Sequence, residues 1–558
     1  MNIEAVQRRL WEQSQEHKRG RDSVGTLFRE DPLGKRIRGL YDLMHNPEWL
    51  DEACRRVLVS SKGKAVGVDG EGTHRFMDSR DYKLECLRLE LKRGIYQPQP
   101  SLRIMIDKSD GRKRPLGIPC LRDKMVQEAI RMALEPIFEV DFHDDSYGFR
   151  PNRSAHHAVF RCQNLVHRGF SWVIEGDVKA CFDEISHGAI LRNLREKIMD
   201  NKFLRLVDLF LKAGVSVDGV VRPTDKGVPQ GGVLSPLLAN VVLNRLDWFL
   251  HDMSKHGLAM RRNWYSGKPN IRFVRYADDW CVFITRADKR YAIALREQIR
   301  VFLKDTAGLE LSAEKTHVTH VRDGFDFLSF RIVKETGQRG ISIPKIKVSE
   351  KAEKRLRLRL SEAIRYRPHQ ESVAIRVQRA SHLIRGWREY FRVAHDISRV
   401  AHTLDYHAFW ETVKATCRKF DISTAQCLKQ YCRNSRFVVG PDIILDRLMG
   451  AGVKLDYHGP AKYEPGKGIY IDDFEDESAY RFHEKRNRRG GLDLRQDALK
   501  RDSMRCQTCG DKVERAHVDH VVPVHQFASF RLAHKLDNLQ TLCEKCHKAK
   551  TREEYHSQ

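Results

Sequence analysis

Asp278 and Asp279 are adjacent carboxylates at the tip of a short polar turn, in RFVRYADDWCVFI from Arg272 to Ile284. Ile271, Phe273 and Val274 lead in, and Val282, Phe283 and Ile284 lead out, so β-branched and aromatic residues predict a strand–turn–strand hairpin. Neighbouring like charges repel, and a cation beside them relieves the repulsion. The plain alternative is a solvated Asp-Asp turn, since Asp favours turns through local hydrogen bonds. A second acidic strand end bears on the choice. Trp172 to Asp183 reads WVIEGDVKACFD, an apolar strand that delivers Asp177 at its end, with the aromatic Phe182 five residues on. Two such ends converging can hold a pair of magnesium ions, hard cations that take oxygen ligands and promote in-line attack on phosphate. Asp177 as a simple strand cap is the competing reading.

Between these strands lies KGVPQGGVLSPLLAN, Lys226 to Asn240. Gln230, Gly231 and Gly232 let a backbone approach a ligand closely, because glycine has no Cβ to obstruct it. Ser235-Pro236 then starts a helix with Pro in its first turn. Near the C-terminus, Cys506-x-x-Cys509 and Cys543-x-x-Cys546 have the spacing of two zinc knuckles closing one thiolate site. The 33 residues between the pairs exceed a simple ribbon and contain VDHVVP from Val518 and NLQTL from Asn538, with His547 after the last cysteine.

These groups need several domains to position them: 558 residues are too many for one core and suggest three or four. Lys plus Arg outnumber Asp plus Glu by 100 to 75, a net +25 with pI near 9.5, which points to a polyanionic partner. The sequence holds no apolar run near the roughly 20 residues of a membrane span, and MNIEAVQRRLWEQSQ reads as a polar helix, not a signal peptide. An intracellular protein without a membrane partner is expected. The nine cysteines from Cys54 to Cys432 are scattered singly, as buried small hydrophobes in a reducing compartment.

LRIMIDKSDGRKRPLGIP predicts a hairpin about Asp110-Gly111, followed by a helix from about Leu121 to Phe138. Trp172 to Gly176 reads as a strand, His187 to Met199, Lys202 to Ala213 and Ala287 to Asp305 as helices, and Leu309 to Leu311 as a short strand. That layout predicts helices on one face of a mostly antiparallel sheet. Beyond Pro344 the chain turns mainly helical, and Lys345 to Arg399 carries fifteen basic residues against six acidic ones. A dense basic face is usually a solvated surface; in so cationic a chain an RNA-binding face is favoured. Pro460 to Glu477 reads as a linker, and RFHEKRNRR from Arg481 as a segment suited to a nucleic-acid backbone.

Taken in order, DVKACFD, GVPQGGVLSPLLAN, RYADD, LSAEKT and FDFLSF resemble the reverse transcriptases of bacterial and organellar group II introns, over the chain from about Lys62 onward. The resemblance implies a multidomain α+β protein. Residues 1–90 would be an N-terminal helical extension with the start of the fingers, 91–171 the fingers, 172–340 a palm with an antiparallel sheet, and 341–440 a helical thumb and maturase domain. Residues 441–495 would be a linker and basic DNA-binding region, and 496–558 a small zinc-containing ββα H-N-H module. It makes Asp177, Asp278 and Asp279 the ligands of two Mg2+ ions. Phe182 would lie under the incoming sugar and exclude a 2′-hydroxyl, and Tyr276 would pack near the primer end. Gln230 and Gly231 would lie along the nascent base pair, and Lys315 would face the leaving pyrophosphate. Lys108 and Arg114, with Arg103 as a further candidate, would clamp the triphosphate, and Phe325 to Phe330 would help hold the primer.

The segment HLIRGWREYF, His382 to Phe391, is similar to the thumb and maturase region. There Trp387, Tyr390 and Phe391 read as core, and Arg385, Arg388 and Arg392 as RNA contacts. The His, Asn, His series resembles the H-N-H nucleases. It implies His520 as general base, Asn538 as an orienting group, Asp519 and His547 on one catalytic divalent ion, and structural zinc on the four cysteines. A zinc ribbon that only binds DNA is the alternative. His517 and His525 are further candidate ligands, and HQFASFRLAHKL stands where a Gly-Gly often follows the Asp-His pair.

The implied function is copying of intron RNA by target-primed reverse transcription, maturase assistance to splicing, and nicking of target DNA. The implied partners are the chain's own intron RNA, target DNA and deoxynucleoside triphosphates, in the bacterial cytoplasm or an organelle matrix. Two other readings are a maturase-only RNA-binding protein and a host-adopted reverse transcriptase in phage defence. The acidic site with Lys315 weighs against the first, and the thumb motif with the H-N-H module against the second.

Overall fold

The computed structural model describes residues 1–22, 36–60, 65–107, 113–253, 269–336, 342–365, 371–440, 443–448, 498–499, 501–513, 517–522, 538–544, 546–547 and 549–550. Lys108, His525, the linker from Pro460 and the basic segment from Arg481 lie outside them, as does the side chain of His520. The chain divides into two compact units, Met1–Gly468 and Ile469–Gln558. Among the described residues, no helix is long and apolar enough to cross a membrane.

The first unit opens with five helices, α1 (Ile3–Asp22), α2 (Leu40–Met44), α3 (Pro47–Val59), α4 (Thr73–Met77) and α5 (Arg80–Arg93). Asn46 caps α3 by accepting from Trp49 N, with Pro47 at the first helical position, where its missing N–H costs nothing. Strands β1 (Ser101–Asp107) and β2 (Lys113–Ile118) form the expected antiparallel hairpin, and the long α6 (Leu121–Glu139) follows as predicted. Next come α7 (Ala155–His167), β3 (Trp172–Asp177), α8 (Cys181–Glu184), α9 (His187–Arg195), α10 (Asn201–Lys212), β4 (Val215–Val217), β5 (Val220–Arg222) and α11 (Ser235–Met253). Then β6 (Asn270–Tyr276), β7 (Asp279–Thr285), α12 (Lys289–Ala307) and β8 (His317–His320) complete the central layer.

That layer is an antiparallel sheet ordered β6-β7-β3-β8. Its residues alternate between two cores. Ile174, Val282 and Ile284 face one built with α6, α9, α11 and α12, while Val173, Cys281 and Phe283 face another that contains Ala158, Cys162 and Leu165 of α7. The sheet is therefore covered on both faces, not on one as the sequence layout suggested. Near-continuous apolar strands such as WVI and CVFI fit burial on both sides. The unforeseen α7 starts at a capping box: Ser154 accepts from His157 N, and the His157 ring accepts from Ser154 N.

Two further expectations are corrected. Leu309 to Leu311 is no strand but a single bridge, Val178 to Leu311, and β8 takes the sheet edge instead. The helix at His187 ends at Arg195, short of Met199. Strands β9 (Phe325–Phe327), β10 (Phe330–Thr336) and β11 (Ser342–Val348) form a second antiparallel sheet, so strand structure continues past Pro344. Helices α13 (Glu350–Arg365), α14 (Val373–Phe391), α15 (Ile397–Phe420) and α16 (Thr424–Tyr431) follow, then the short strands β12 (Cys432–Arg433), β13 (Arg436–Val439) and β14 (Ile443–Ile444). In the second unit, β15 (His517–His520) pairs antiparallel with β16 (Leu539–Leu542).

Candidate active site

The hairpin at Asp278 is a two-residue connection: Tyr276 faces Asp279 across the strands, and Ala277 adopts φ +58° at the turn. A left-handed alanine is strained, so the surroundings must hold it. Arg275 does so from a fully buried position. Its guanidinium forks onto Asp247 of α11 at 2.7 and 2.6 Å, and also donates to Asn240 Oδ1 at 2.8 Å and to the Ala277 carbonyl at 2.9 Å. Asn240 in turn donates to the Gly148 carbonyl at 2.8 Å. A Cβ on Gly148 would sit 2.3 Å from Ala277 N, so only glycine permits that segment to lie against the turn. Motif reading missed this clamp, although RYADD and LSPLLAN contain Arg275 and Asn240.

On the other side of β7, Asp279 lies directly opposite Asp177. One pair nearer the core, Trp280 lies over Gly176, where a Cβ would be 2.1 Å from the indole. The chain beyond α12 runs back beside the end of β3, with Lys179 N donating to the Glu310 carbonyl and Ser312 N to that of Asp177, each at 2.9 Å. The turn that follows brings Lys315 Nζ to 2.7 Å from Asp177 Oδ2. Lys315 is thus seated on a carboxylate of the cluster.

Desolvation pushes the Asp278 carboxyl up, and Asp177 adds to it, while Arg114 and Lys315 oppose. Asp279 keeps an exposed face, yet protein crowds its carboxyl enough to push it up to about 7, with Asp278 and Asp177 contributing next and Lys315 opposing. Two adjacent carboxyls this reluctant to carry full charge, with Asp177 beside them, fit a divalent cation, which would restore ionisation. Among the described residues, the four cysteines are the one group of three or more such ligands gathered within 4.8 Å of one another.

The glycine loop closes the floor. Gly231 has φ +112°, and its Cβ would meet the Gly117 carbonyl at 2.6 Å; Gly117 N donates to the Gln230 carbonyl at 2.7 Å, which ties β2 to the loop. Gln230 Nε2 donates to Asp183 Oδ2 at 2.7 Å and Arg114 Nε to Gln230 Oε1 at 2.8 Å, while Arg103 pairs with Asp183 at 3.1 Å. Phe182 is buried with its ring edge-on to Phe149. Phe325, Phe327 and Phe330 are core, and the left-handed Leu328 and Ser329 form the turn between β9 and β10. Tyr276 is half-buried, and desolvation raises its hydroxyl.

In α14, Phe391 is buried, with the Trp387 ring tilted against it and that of Tyr390 edge-on, both partly buried on the same core. The arginines there are engaged: Arg385 with Asp446 at 3.0 Å, Arg388 with the Arg447 carbonyl at 3.2 Å, and Arg392, 13 % exposed, with Glu389 at 2.9 Å. By contrast α13 presents Lys351, Arg355, Arg357 and Arg359 as exposed residues. Their i, i+4 spacing from Lys351 through Arg355 to Arg359 is the signal that locates a single face.

In the second unit the four sulfurs of Cys506, Cys509, Cys543 and Cys546 cluster, with Cys509 and Cys543 3.9 Å apart. Burial alone would raise the Cys506 thiol, but backbone N–H groups of Cys509, Cys543 and Thr508 outweigh it and bring it down to about 6. The neighbouring sulfurs push Cys509 up and Cys546 up to about 12, so the four thiols resist ionising together, a penalty that a zinc ion would relieve. Asp519 pairs with Lys550 at 2.9 Å, and the rings of His517 and His547 stack at 4.7 Å. Asn538 spends its amide on the hairpin end, accepting from Val522 N at 2.8 Å and donating to the Val522 carbonyl at 3.1 Å.

Three family models match the chain. Residues 106–332 fit the reverse transcriptase (RNA-dependent DNA polymerase) family, 353–432 the group II intron maturase-specific domain, and 506–553 the HNH endonuclease family. Protein YkfC of Escherichia coli K12 is 41 % identical over 338 residues, 57 % of this chain and 88 % of that protein. The group II intron-encoded protein LtrA of Lactococcus lactis is 34 % identical over 325 residues, 49 % of this chain. The chain belongs to the group II intron-encoded proteins. It is a reverse transcriptase with a maturase-specific domain and an HNH endonuclease domain. The match spans about half of LtrA, 53 % of its length, and 34 % of a putative COX1/OXI3 intron 2 protein of Saccharomyces cerevisiae at 31 % identity.

Proposed function

We propose that this group II intron protein copies its own intron RNA into DNA at an insertion site, assists splicing of that RNA, and nicks the target strand whose 3′-hydroxyl primes synthesis. The polymerase part rests on one observation: Asp177 stands opposite Asp279 across paired strands, with Asp278 at the adjoining turn and Lys315 against Asp177. Asp177, Asp278 and Asp279 would hold two magnesium ions, which supply charge neutralisation and an activated primer hydroxyl when bound. Around them Phe182 closes the space beneath a deoxyribose, Tyr276 packs near the primer end, and Gln230 with Gly231 lies along the new base pair. Arg114, with Lys108, receives the triphosphate.

Four cysteines hold structural zinc, since four thiolates leave no position for water. In the H-N-H module His520 acts as base, Asn538 orients it, and Asp519 with His547 takes the catalytic ion. Lys550 must then release Asp519 when that ion binds. The maturase surface is assigned first to α13, with Arg385 and Arg388 of α14 as supporting contacts and Arg392 held back by its pair with Glu389. The protein acts where intron RNA and DNA meet, in the bacterial cytoplasm or an organelle matrix.

Primer extension on an RNA template with deoxynucleotides tests the polymerase assignment. Asp278→Ala abolishes synthesis and leaves splicing intact; undiminished synthesis defeats the assignment. His520→Ala removes nicking alone, and a variant that nicks normally reduces the module to a zinc ribbon.

A further inference from the structure

We propose that Asp183 is a positioning residue that couples seating of the triphosphate to scrutiny of the base pair. The inference rests on the polymerase reading above. Four side chains form one continuous line: Arg103 of β1, Asp183 of α8, Gln230 of the loop before α11, and Arg114 of β2. The line joins both strands of the fingers hairpin to the floor beside Phe182. Gln230 has both ends of its carboxamide committed, its Nε2 to Asp183 at 2.7 Å and its Oε1 to Arg114 at 2.8 Å. Asp183 is committed as well, one oxygen to Gln230 and the other to Arg103 at 3.1 Å.

The backbone fixes Asp183 in place while leaving the arginines on an exposed hairpin. Val228 N donates to the Phe182 carbonyl at 2.6 Å, and Gly227 N to that of Ile185 at 2.8 Å. Gly227, at φ +84°, lies so close that a Cβ would meet the Asp183 carbonyl at 2.5 Å. Arg114, by contrast, extends from a solvent-exposed position in β2. Its Nε reaches Gln230 Oε1 at 2.8 Å, so the guanidinium stands over the glycine loop beside the cleft where a triphosphate would sit.

A triphosphate offers charged oxygens that compete with the neutral Gln230 carbonyl for Arg114, and the charge-assisted pair is the stronger, while Arg103 stays on the Asp183 carboxylate. When Arg114 leaves, the carbonyl end of Gln230 is released while Asp183 still anchors its amide end. Gln230 is then held in one orientation against the minor edge of the new pair. A mispaired nucleotide that seats its phosphates badly leaves Arg114 on Gln230, and the loop stays in its resting arrangement. Discrimination in this scheme comes from exchange of a shared arginine, with Asp183 as the fixed point.

Single-nucleotide incorporation on an RNA template, with matched and mismatched deoxynucleotides, tests this in Asp183→Ala, Arg103→Ala and the double variant. Asp183→Ala should raise KM for the matched nucleotide about tenfold with a smaller change in kcat, and narrow the matched-to-mismatched ratio of kcat/KM. The double variant should be no worse than Asp183→Ala, because the residues act through one line. Asp183→Asn, which keeps an acceptor for Gln230 but loses the charge, should recover part of the discrimination. Wild-type discrimination in Asp183→Ala, or losses that add in the double variant, overturns the proposal. Asp278→Ala run alongside separates the two failures: if it is silent and Asp183→Ala discriminates normally, only the coupling is wrong, whereas active Asp278→Ala removes the polymerase reading beneath it.

Discussion

The carboxylate cleft and the cysteine cluster gather their chemistry in opposite ways. In the cleft, Asp177 and Lys315 meet from 138 residues apart because a sheet with two covered faces brings them together. Arg275 and Asp247, both without exposed surface, hold the turn between them. Positions there are set by a core that exists whether or not a cation is bound. In the second unit, the apolar cluster consists of Cys506, Val513 and Leu542, with Cys543 and Cys546 packed against it. Three of those five residues are cysteines of the sulfur cluster. Where ligands supply so much of the described cluster, joining them through a metal would stabilise it, so the cleft would position a metal and the sulfur cluster would be positioned by one.

The largest expected effect is loss of zinc. Structural zinc contributes about 10–16 kcal/mol in zinc-finger peptides near neutral pH. Stripping zinc with a selective chelator, or Cys506→Ser, should remove amide-exchange protection from the β15–β16 hairpin, including Gln507 N, which donates to the Thr541 carbonyl at 2.8 Å. Protection of β3 and β7 should not change. A hairpin that stays protected without metal breaks the contrast.

Next is the buried pair in the cleft. Asp247→Ala leaves Arg275 charged, buried and unpaired, a change worth about 3–5 kcal/mol, to be read as a lower denaturation midpoint of the first unit. Replacing both partners by apolar residues of similar volume should return most of the stability. It should not return primer extension, since the Ala277 carbonyl and Asn240 would lose their donor. Recovery of both together would mean that the clamp serves stability alone.

Much of the cleft was legible because its residues sit at strand ends and turns with short, ordered motifs. The strand carrying Asp177, the hairpin carrying Asp278 and Asp279, and the cysteine spacing all follow from local pattern. Arg275, Asp247 and Asp183 were missed for a physical reason: each looks like an ordinary charge in a polar or amphipathic run, and only packing reveals that its partner comes from another element. The bridge at Leu311 misled for a similar reason, since three apolar residues read alike as a strand or as a chain laid against one. The α14 arginines show what charge density alone does not reveal, since Arg385 pairs with Asp446 and Arg392 with Glu389 within the chain.

A smaller effect probes how tightly the cleft is packed. Gly176→Ala introduces a Cβ 2.1 Å from the Trp280 ring, an overpacking that costs about 1–3 kcal/mol. Because Trp280 follows Asp279, the shift should also weaken primer extension, while Gly510→Ala in the metal-held unit, at φ +77° but with open space around it, should leave polymerisation unaffected. Equal effects of the two on synthesis would blur the distinction between a core-set and a metal-set site.

The smallest effect per residue belongs to the exposed α13 face of Lys351, Arg355 and Arg359. Arg355 and Arg359 are exposed and one helical turn apart, so each can meet a separate phosphate of a bound RNA. Replacing either by Ala should lower the magnitude of the salt dependence of intron RNA binding by about 0.7–0.9 in the log–log slope, and replacing both by about twice that. Arg392→Ala should leave the slope unchanged, because its guanidinium is already paired with Glu389 and is largely buried. A slope that responds to Arg392 and not to Arg355 would move the RNA face from α13 to α14, and would mean that the Glu389 pair opens on binding.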